Sequence, residues 1–259
     1  MRLLGDLLSP PRCAACESAV PRHHVFCAAC AASVESCAAF VARAGASGRA
    51  RDDDVDPVDV AFGYYGGALA TAIRRLKYED RPHLARPLGE LLRGACRTAK
   101  TRADAVLPVP LHPRRLAMRG YNQAALLSAH VASELDAPLL TSVLARAIDT
   151  VPQVELSGEG RHDNVGNAFV VGPRALLEDR TIALVDDVST TGATLRACRR
   201  ALLARGARRV IGLVLARTPS SALGIPLVLD AGPGLDLGVD RACASSGCAN
   251  VPMRANLRN

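Results

Sequence analysis

The sequence predicts an α/β fold in which a doubly wound parallel sheet is joined to a small amino-terminal four-cysteine zinc module. Strand-like apolar runs alternate with helical patterns through residues 58–218, which is typical of parallel strands joined by right-handed helical crossovers. The run TIALV at residues 181–185 is β-branched or apolar throughout, as expected of a strand buried on both faces. Two Cys-x-x-Cys pairs precede this region and form the separate module.

The composition indicates one domain of ordinary size with an accessory module. The chain has 259 residues, of which 49% are hydrophobic, so a substantial core can form. The formal net charge is +7, but only Lys77 and Lys100 are lysines among the 32 basic residues. This charge suits pyrophosphate substrates at least as well as nucleic acid. Aromatic residues make up 3% of the chain, which leaves few rings for stacking on single-stranded bases.

The amino terminus makes a poor signal peptide, because Asp6 interrupts its apolar patch and no small-residue cleavage site follows. No run reaches the roughly 18 apolar residues that a membrane span needs. We therefore expect a cytoplasmic protein with no membrane span. In a reducing compartment the nine cysteines point to metal binding or burial rather than to disulfides.

Two identical Cys-x-x-Cys knuckles predict a zinc site in residues 1–40. The expected ligands are Cys13, Cys16, Cys27 and Cys30. Four thiolates leave no open coordination position, so the zinc would be structural. A redox pair or chance cysteines in an Ala-rich segment are the alternatives, and His23 or His24 could replace one thiolate. Residues 41–57 are rich in Gly, Ala and charge and are predicted to be a linker.

Hydrophobic periodicity places the elements of the larger domain, residues 58–218. The predicted strands are residues 59–65, a short run from residue 105, residues 181–185 and residues 209–216. Four helices are predicted. The first ends near residue 77, the second spans residues 84–99, the third ends at residue 135 and the fourth spans residues 192–205. Tyr64, Tyr65, Lys77 and Tyr78 either cap a ligand pocket or simply pack.

The stretch after residue 185 predicts a site for a sugar phosphate. A loop of small hydroxyl residues that opens a helix can close its N–H groups on an anion, and the helix dipole adds positive potential. The predicted loop residues are Ser189, Thr190, Thr191, Gly192, Ala193 and Thr194. Asp186 and Asp187 would repel a phosphate, so we expect them to accept hydrogen bonds from two ribose hydroxyls.

A second loop, which follows the short strand at residue 105, predicts the partner site for pyrophosphate. Prolines stiffen this loop, and guanidinium groups bind pyrophosphate oxygens in a bidentate manner. The candidate residues are His112, Arg114, Arg115 and Arg119. An ordinary basic surface loop is the alternative.

These motifs resemble known families. The run VDDVSTTGAT at residues 185–194 is similar to the phosphoribosyl pyrophosphate (PRPP) motif of type I phosphoribosyltransferases, and Ser189 stands where many members carry an apolar residue. The run PVPLHPRR followed by RGYNQ, together with the cysteine knuckles, resembles the ComF/ComFC/GntX group. The resemblance covers about residues 1–218 and implies the type I phosphoribosyltransferase fold. The remaining residues, 219–259, are predicted to be a poorly ordered C-terminal tail.

The resemblance implies binding of PRPP with Mg²⁺ and transfer of phosphoribosyl to an acceptor that the sequence does not identify. It also implies that residues 147–168 form a lid from which Arg161 reaches the pyrophosphate. The alternative is a non-enzymatic module that senses PRPP or a nucleotide and engages DNA or a protein partner through its zinc knuckles. Homologues in competent bacteria suggest a DNA-uptake or helicase protein as partner, and a homodimer is also open.

Overall fold

The computed structural model describes residues 11–37, 58–146, 168–173 and 175–218. The predicted linker at residues 41–57, the tail at residues 219–259 and the proposed lid residue Arg161 lie outside this part of the chain. Where the chain is described, no helix is long and apolar enough to cross a membrane.

Four parallel strands form the central sheet. They are β1 (Val60–Tyr64), β2 (Ala105–Pro108), β5 (Thr181–Ser189) and β6 (Arg209–Arg217), and their order across the sheet is β1, β6, β5, β2. All neighbouring pairs are parallel, as the alternation of strands and helices predicts. Two further strands, β3 (Leu144–Arg146) and β4 (Phe169–Val171), form a small antiparallel sheet that the sequence analysis did not predict.

Helices connect the strands. The helices are α1 (Ala28–Ala31), α2 (Gly67–Tyr78), α3 (Ala85–Thr98), α4 (Pro113–Arg119), α5 (Gln123–Leu135) and α6 (Ala193–Leu203), with a 3₁₀ turn at Pro82–Leu84. Helices α2, α3, α5 and α6 lie within two residues of their predicted bounds. The turn after α6 contains Gly206 at φ +90°, in the left-handed region expected of a glycine near a helix end.

Alternate residues of the strands contribute to two separate cores, one on each face of the sheet. Along β5, Ala183 and Val185 pack with helices α2, α3 and α5. Ile182 and Leu184 pack on the opposite face with helix α6 and the β3/β4 pair. Helices therefore cover both faces, which confirms the prediction of a doubly wound sheet.

The amino-terminal module lies against the outer edge of the sheet. Ser36 forms an antiparallel bridge with Gly63 of β1, and the N–H of Cys37 donates to the carbonyl of Phe62 at 3.0 Å. The module thus pairs with an edge that would otherwise leave backbone groups exposed. Its apolar residues Val25 and Phe26 join the same core as α2.

The central strand β5 is longer than the sequence predicts. Strand β5 continues for four residues past Val185, through both acids to Ser189, because β6 pairs with it as far as the contact between Ser189 and Arg217. A partner strand can therefore hold polar residues in extended structure that their own composition would assign to a loop.

The close contact between the module and α2 yields a testable prediction. A Cβ at Gly67, where φ is +48°, would lie 2.1 Å from the carbonyl oxygen of Ser33. We expect Gly67→Ala to lower the free energy of unfolding by about 2 kcal/mol, through both backbone strain and steric overlap. Urea denaturation followed by circular dichroism measures this change.

Gly66→Ala is the matched control, since no residue in the described part of the chain lies within 4 Å of a Cβ at that position. Its cost should stay below about 1 kcal/mol. Equal losses in the two variants would contradict the steric explanation.

Candidate functional site

The two adjacent acids lie at the carboxyl end of β5 but on opposite faces of the sheet. Because side chains alternate along a strand, Asp187 shares the face of Val185 and α2, whereas Asp186 shares the face of Leu184 and α6. The structure therefore brings the acids to the predicted edge of the sheet, where ligands of such folds bind. It also gives them different surroundings.

Asp187 is buried, with 2% of its surface exposed, and it forms an ion pair with a lysine. Nζ of Lys77 lies 2.9 Å from Oδ1 of Asp187. The second oxygen, Oδ2, is buried and has no hydrogen-bond partner in the described part of the chain. A buried carboxylate oxygen without a partner is costly unless a ligand completes its hydrogen bonding.

Lys77, which the sequence suggested only as a residue that either caps a ligand pocket or packs, is the partner of Asp187 that the sequence did not predict. Burial lowers the pKa of its amine, but the charges of Asp187 and Asp186 and the hydrogen bond to Asp187 outweigh that effect and leave the pKa raised. The residue thus remains a cation beside the acid pair. The sequence feature that could have drawn attention to Lys77 is that it is one of only two lysines among many arginines.

The environment of Asp186 disfavours a negative charge on its carboxyl group. Its Oδ1 accepts a hydrogen bond from the backbone N–H of Asp187 at 2.8 Å. Burial, reinforced by the negative charge of Asp187, nevertheless raises the pKa of Asp186 well above its ordinary range, and Lys77 only partly opposes this rise. The carboxyl group of Asp186 therefore resists ionisation.

The hydroxyl-rich loop connects β5 to α6 as the sequence predicts. Gly192 has φ +74° and lies at the amino end of α6, and Thr190 and Thr191 are exposed. Thr218, at the end of the adjacent strand, donates from its N–H to the carbonyl of Ser189 at 3.0 Å. Ala193 and Thr194 form the first turn of α6. The loop is thus held at its base and open to solvent at the helix N-terminus, which favours an anion.

Two of the four predicted pyrophosphate residues line a cavity of about 640 Å³. Arg115 and Arg119 contribute to its wall together with Lys77 and Tyr78, and the guanidinium of Arg119 lies 5.2 Å from the centroid of the Tyr78 ring. Lys77, which contacts Asp187, therefore also forms part of the cavity wall. Lys77 is paired with Asp187, so Arg115 and Arg119 outweigh the single lining carboxylate, Asp80, and make the cavity suitable for a polyanion.

The other two predicted residues lie outside this lining. The ring of His112 accepts a hydrogen bond from the N–H of Arg114 at 3.3 Å and so caps α4. The side chain of Arg114 is exposed. Tyr64, named with Lys77 and Tyr78 as a cap for a pocket, has Cys37 as a neighbour instead.

The four cysteines predicted to bind metal converge in the module. Their sulfur atoms all lie within 4.8 Å of one another, and Sγ of Cys16 is 3.6 Å from Sγ of Cys27. Tetrahedral zinc with four sulfur ligands requires S···S separations of about 3.8 Å. The cluster could therefore hold zinc, whereas His23 and His24 are not among the residues that form it in the described structure.

The electrostatics of the module also suit a cation. Burial opposes ionisation of Cys16, but hydrogen bonds with Ser18, Cys13 and Cys27 together outweigh burial and lower the pKa of Cys16 to about 6. Burial and the nearby charge of Cys13 strongly raise the pKa of Cys30. Crowded thiolates repel one another, and a bound cation would remove that repulsion.

The doubly wound parallel sheet, with two acids and a hydroxyl-rich loop at the end of its central strand, has the arrangement expected of a phosphoribosyltransferase-like domain. In agreement, residues 121–225 match the family model described as phosphoribosyl transferase domain. The purine phosphoribosyltransferase of Pyrococcus horikoshii Ot3 overlaps 54% of this chain and 76% of its own, with 20% identity and a TM-score of 0.32.

Sequence relatives define the family more narrowly. Competence protein F of Haemophilus influenzae is 37% identical over 164 residues, which cover 61% of this chain and 72% of that protein. DNA utilization protein YhgH of Escherichia coli K12 is 32% identical over 159 residues, or 60% of this chain and 69% of that protein. The chain belongs to the competence protein F family, as the cysteine knuckles and the two loops predicted.

The different environments of the two acids yield a prediction about stability and pH. Asp186→Asn should raise the free energy of unfolding by roughly 1 kcal/mol at pH 8, because the wild-type carboxyl resists ionisation in the folded state. The folded pKa is raised above the unfolded value near 4, so the penalty develops as the pH rises above 4. Urea denaturation at pH 4.5 and pH 8 should therefore show a gain only at the higher pH.

Asp187→Asn should have the opposite effect and lower the free energy of unfolding by about 2 kcal/mol, because it leaves Lys77 without its partner. If both variants changed stability in the same direction at pH 8, the two acids would not have the distinct roles described.

Proposed function

We propose that this protein binds PRPP with Mg²⁺ and transfers its phosphoribosyl group to an acceptor. The observation that carries this proposal is the buried carboxylate of Asp187. One of its oxygens is paired with Lys77 and the other has no hydrogen-bond partner among the residues that the structure describes, next to an open loop at the N-terminus of α6. A ligand with a hydroxyl group and a phosphate a few ångströms apart satisfies both features, and a ribose 5-phosphate is such a ligand.

In this proposal, each end of the substrate has its own binding group. The N–H groups of residues 190–194 bind the 5-phosphate, and the dipole of α6 favours its charge. Oδ2 of Asp187 accepts a hydrogen bond from a ribose hydroxyl, while Asp186 approaches the sugar from the other side of the strand. The protonation of Asp186 would then affect which hydrogen bonds it forms.

The pyrophosphate lies in the cavity beside Lys77, where Arg115 and Arg119 bind its oxygens. The bond between C1 of ribose and the pyrophosphate oxygen breaks, pyrophosphate leaves with the electron pair, and the acceptor forms the new bond to C1. Because the cations stabilise the leaving group, no covalent nucleophile is needed from the protein. Mg²⁺, when bound with PRPP, supplies further neutralisation, and carboxylate oxygens are the ligands that it prefers.

We further propose that the cysteine cluster binds one structural zinc ion. The donor set of four sulfur atoms suits zinc and leaves no open position for catalysis. The module is also too small to be stable through its own apolar core. Zinc would then hold the module closed against the edge of the sheet.

The zinc proposal predicts one bound ion per chain in the purified protein. Cys13→Ser should reduce the zinc content to near zero and lower the thermal midpoint of unfolding, since the remaining ligands cannot complete the tetrahedron. Metal analysis by mass spectrometry and a thermal scan measure the two effects. Cys37→Ser is the matched control, because Cys37 is buried in the same module but lies outside the cluster. Zinc retained by Cys13→Ser would contradict the ligand assignment.

The PRPP proposal predicts that two variants will differ in their ligand selectivity. Asp187→Asn should weaken the binding of both PRPP and ribose 5-phosphate at least about tenfold, because both ligands carry the ribose hydroxyls. Arg115→Gln should weaken PRPP alone, since ribose 5-phosphate has no pyrophosphate. Calorimetric titration with Mg²⁺ present measures both affinities.

Arg86→Gln on the exposed side of α3 controls for the loss of one positive charge and should leave both affinities unchanged. If the wild-type protein failed to bind PRPP, the proposal would be wrong. If Arg115→Gln weakened both ligands equally, the cavity would not be the pyrophosphate site.

A second candidate function is binding of DNA through the module. The module exposes Arg12, Arg22 and His23, and the relatives include proteins named for competence and DNA utilization. Phosphate contacts would make DNA affinity fall steeply with salt concentration, and Asp187→Asn would leave it unchanged. Product formation from PRPP that depends on Asp187 would instead support the enzyme.

A further inference from the structure

Helix α2 connects the cysteine module to the ligand site. Near the carboxyl end of this helix, Arg75 makes several hydrogen bonds to the module. Arg75 is buried, with 8% of its surface exposed. Its Nη1 donates to the carbonyl of Ala15 at 3.1 Å and to that of Ala14 at 3.4 Å. Its Nη2 pairs with the carboxylate of Glu17, and its Nε donates to Glu79 at 3.2 Å.

The carbonyl partners of Arg75 belong to the first knuckle itself. Ala14 and Ala15 are the two residues between Cys13 and Cys16, and Glu17 follows directly. The knuckle turns tightly, with Glu17 at φ +65° and its N–H donating to the carbonyl of Cys13 at 3.0 Å. These acceptors point toward Arg75 only while the knuckle keeps this turn. The ligand residues Cys13 and Cys16 would hold the turn when metal is bound.

The other end of the connection is the ion pair at the ligand site. Lys77 follows Arg75 by two residues, so the two side chains leave α2 on different sides. Arg75 contacts the module and Lys77 contacts Asp187. The hydroxyl of Tyr121 also donates to the carbonyl of Leu76. The last turn of α2 is therefore fixed by the module, the acid and the start of α5 at once.

We propose that Arg75 is a positioning residue that couples the cysteine module to the ligand site, by fixing α2 so that Lys77 reaches Asp187. When the knuckle loses its turn, Arg75 loses its carbonyl acceptors and α2 can rotate or shift. Lys77 then separates from Asp187. The zinc module is thereby an active determinant of the site and not only a cover for the sheet edge.

This coupling has a reciprocal consequence, which rests on the proposed binding of PRPP. If a closed knuckle favours the site that binds PRPP, then PRPP must favour the closed knuckle by the same factor. PRPP should slow the release of zinc to a chelator in the wild-type protein. The effect should disappear when Arg75 is replaced.

The direct test uses the chemistry of the two lysines and needs no ligand. Lys77 and Lys100 are the only lysines of the chain, and Lys100 is exposed, so it serves as an internal standard. An amine-acylating reagent followed by peptide mass spectrometry gives the labelling ratio of Lys77 to Lys100. In zinc-loaded wild-type protein the ratio should be low, because Lys77 is largely buried and paired with Asp187.

Arg75→Gln should raise this ratio about fivefold or more, the range of a typical coupling between two sites. Arg74→Gln is the matched control, because Arg74 is exposed on the same helix and its side chain donates to Thr71 of that helix. It should leave the ratio unchanged. An unchanged ratio in a folded, zinc-containing Arg75→Gln protein would overturn the proposal.

If Arg75→Gln does not fold, Glu17→Gln provides the second variant. It removes one of the three module partners of Arg75 from a partly exposed position and should raise the ratio in the same direction by a smaller factor. No change in Glu17→Gln would then overturn the proposal. The labelling ratio does not depend on PRPP, so failure of the wild-type protein to bind PRPP would contradict the proposed function without deciding the role of Arg75.

Discussion

The ion pair between Lys77 and Asp187 is the interaction on which the arrangement of the site depends. It joins the end of α2 to the end of the central strand β5, and both groups are largely buried. Removing one partner of such a pair leaves a charge in a poorly solvated position, so the pair tolerates little displacement. Its geometry leaves one carboxylate oxygen of Asp187 without a hydrogen-bond partner among the described residues and puts Lys77 in the wall of the cationic cavity.

The position of the module follows from the same helix. The segment around Ser36 pairs with the edge strand β1, and the carbonyl of Ser33 lies against Gly67 at the start of α2. Arg75 holds the first knuckle near the end of that helix. The module, which is too small to fold through its own core, thus contacts both the start and the end of α2. Under the proposed coupling, conditions that open the knuckle would displace α2 and so disturb the ion pair between Lys77 and Asp187.

The motif correctly located a loop between strand β5 and helix α6, but it gave an incomplete expectation for the arrangement of the two acids. Because Asp186 and Asp187 are adjacent in the sequence, we expect them to act together on the hydroxyl groups of one ribose. In the structure the strand continues through both, so alternation separates Asp186 from Asp187. The arginine loop shows a similar limit: Arg115 and Arg119 line the cavity, but His112 caps a short helix that its composition did not reveal.

The sequence by itself determined the alternating elements, the doubly wound sheet, the clustered cysteines and the position of the hydroxyl-rich loop, because each depends on local periodicity or on closely spaced residues. Only the tertiary structure decided that β5 extends to Ser189, since that extension needs pairing with β6. It also decided that Lys77 meets Asp187 and that Arg75 meets the knuckle. These contacts join residues about 60 to 110 positions apart, and no local pattern encodes which side chains the packing of α2 will bring together.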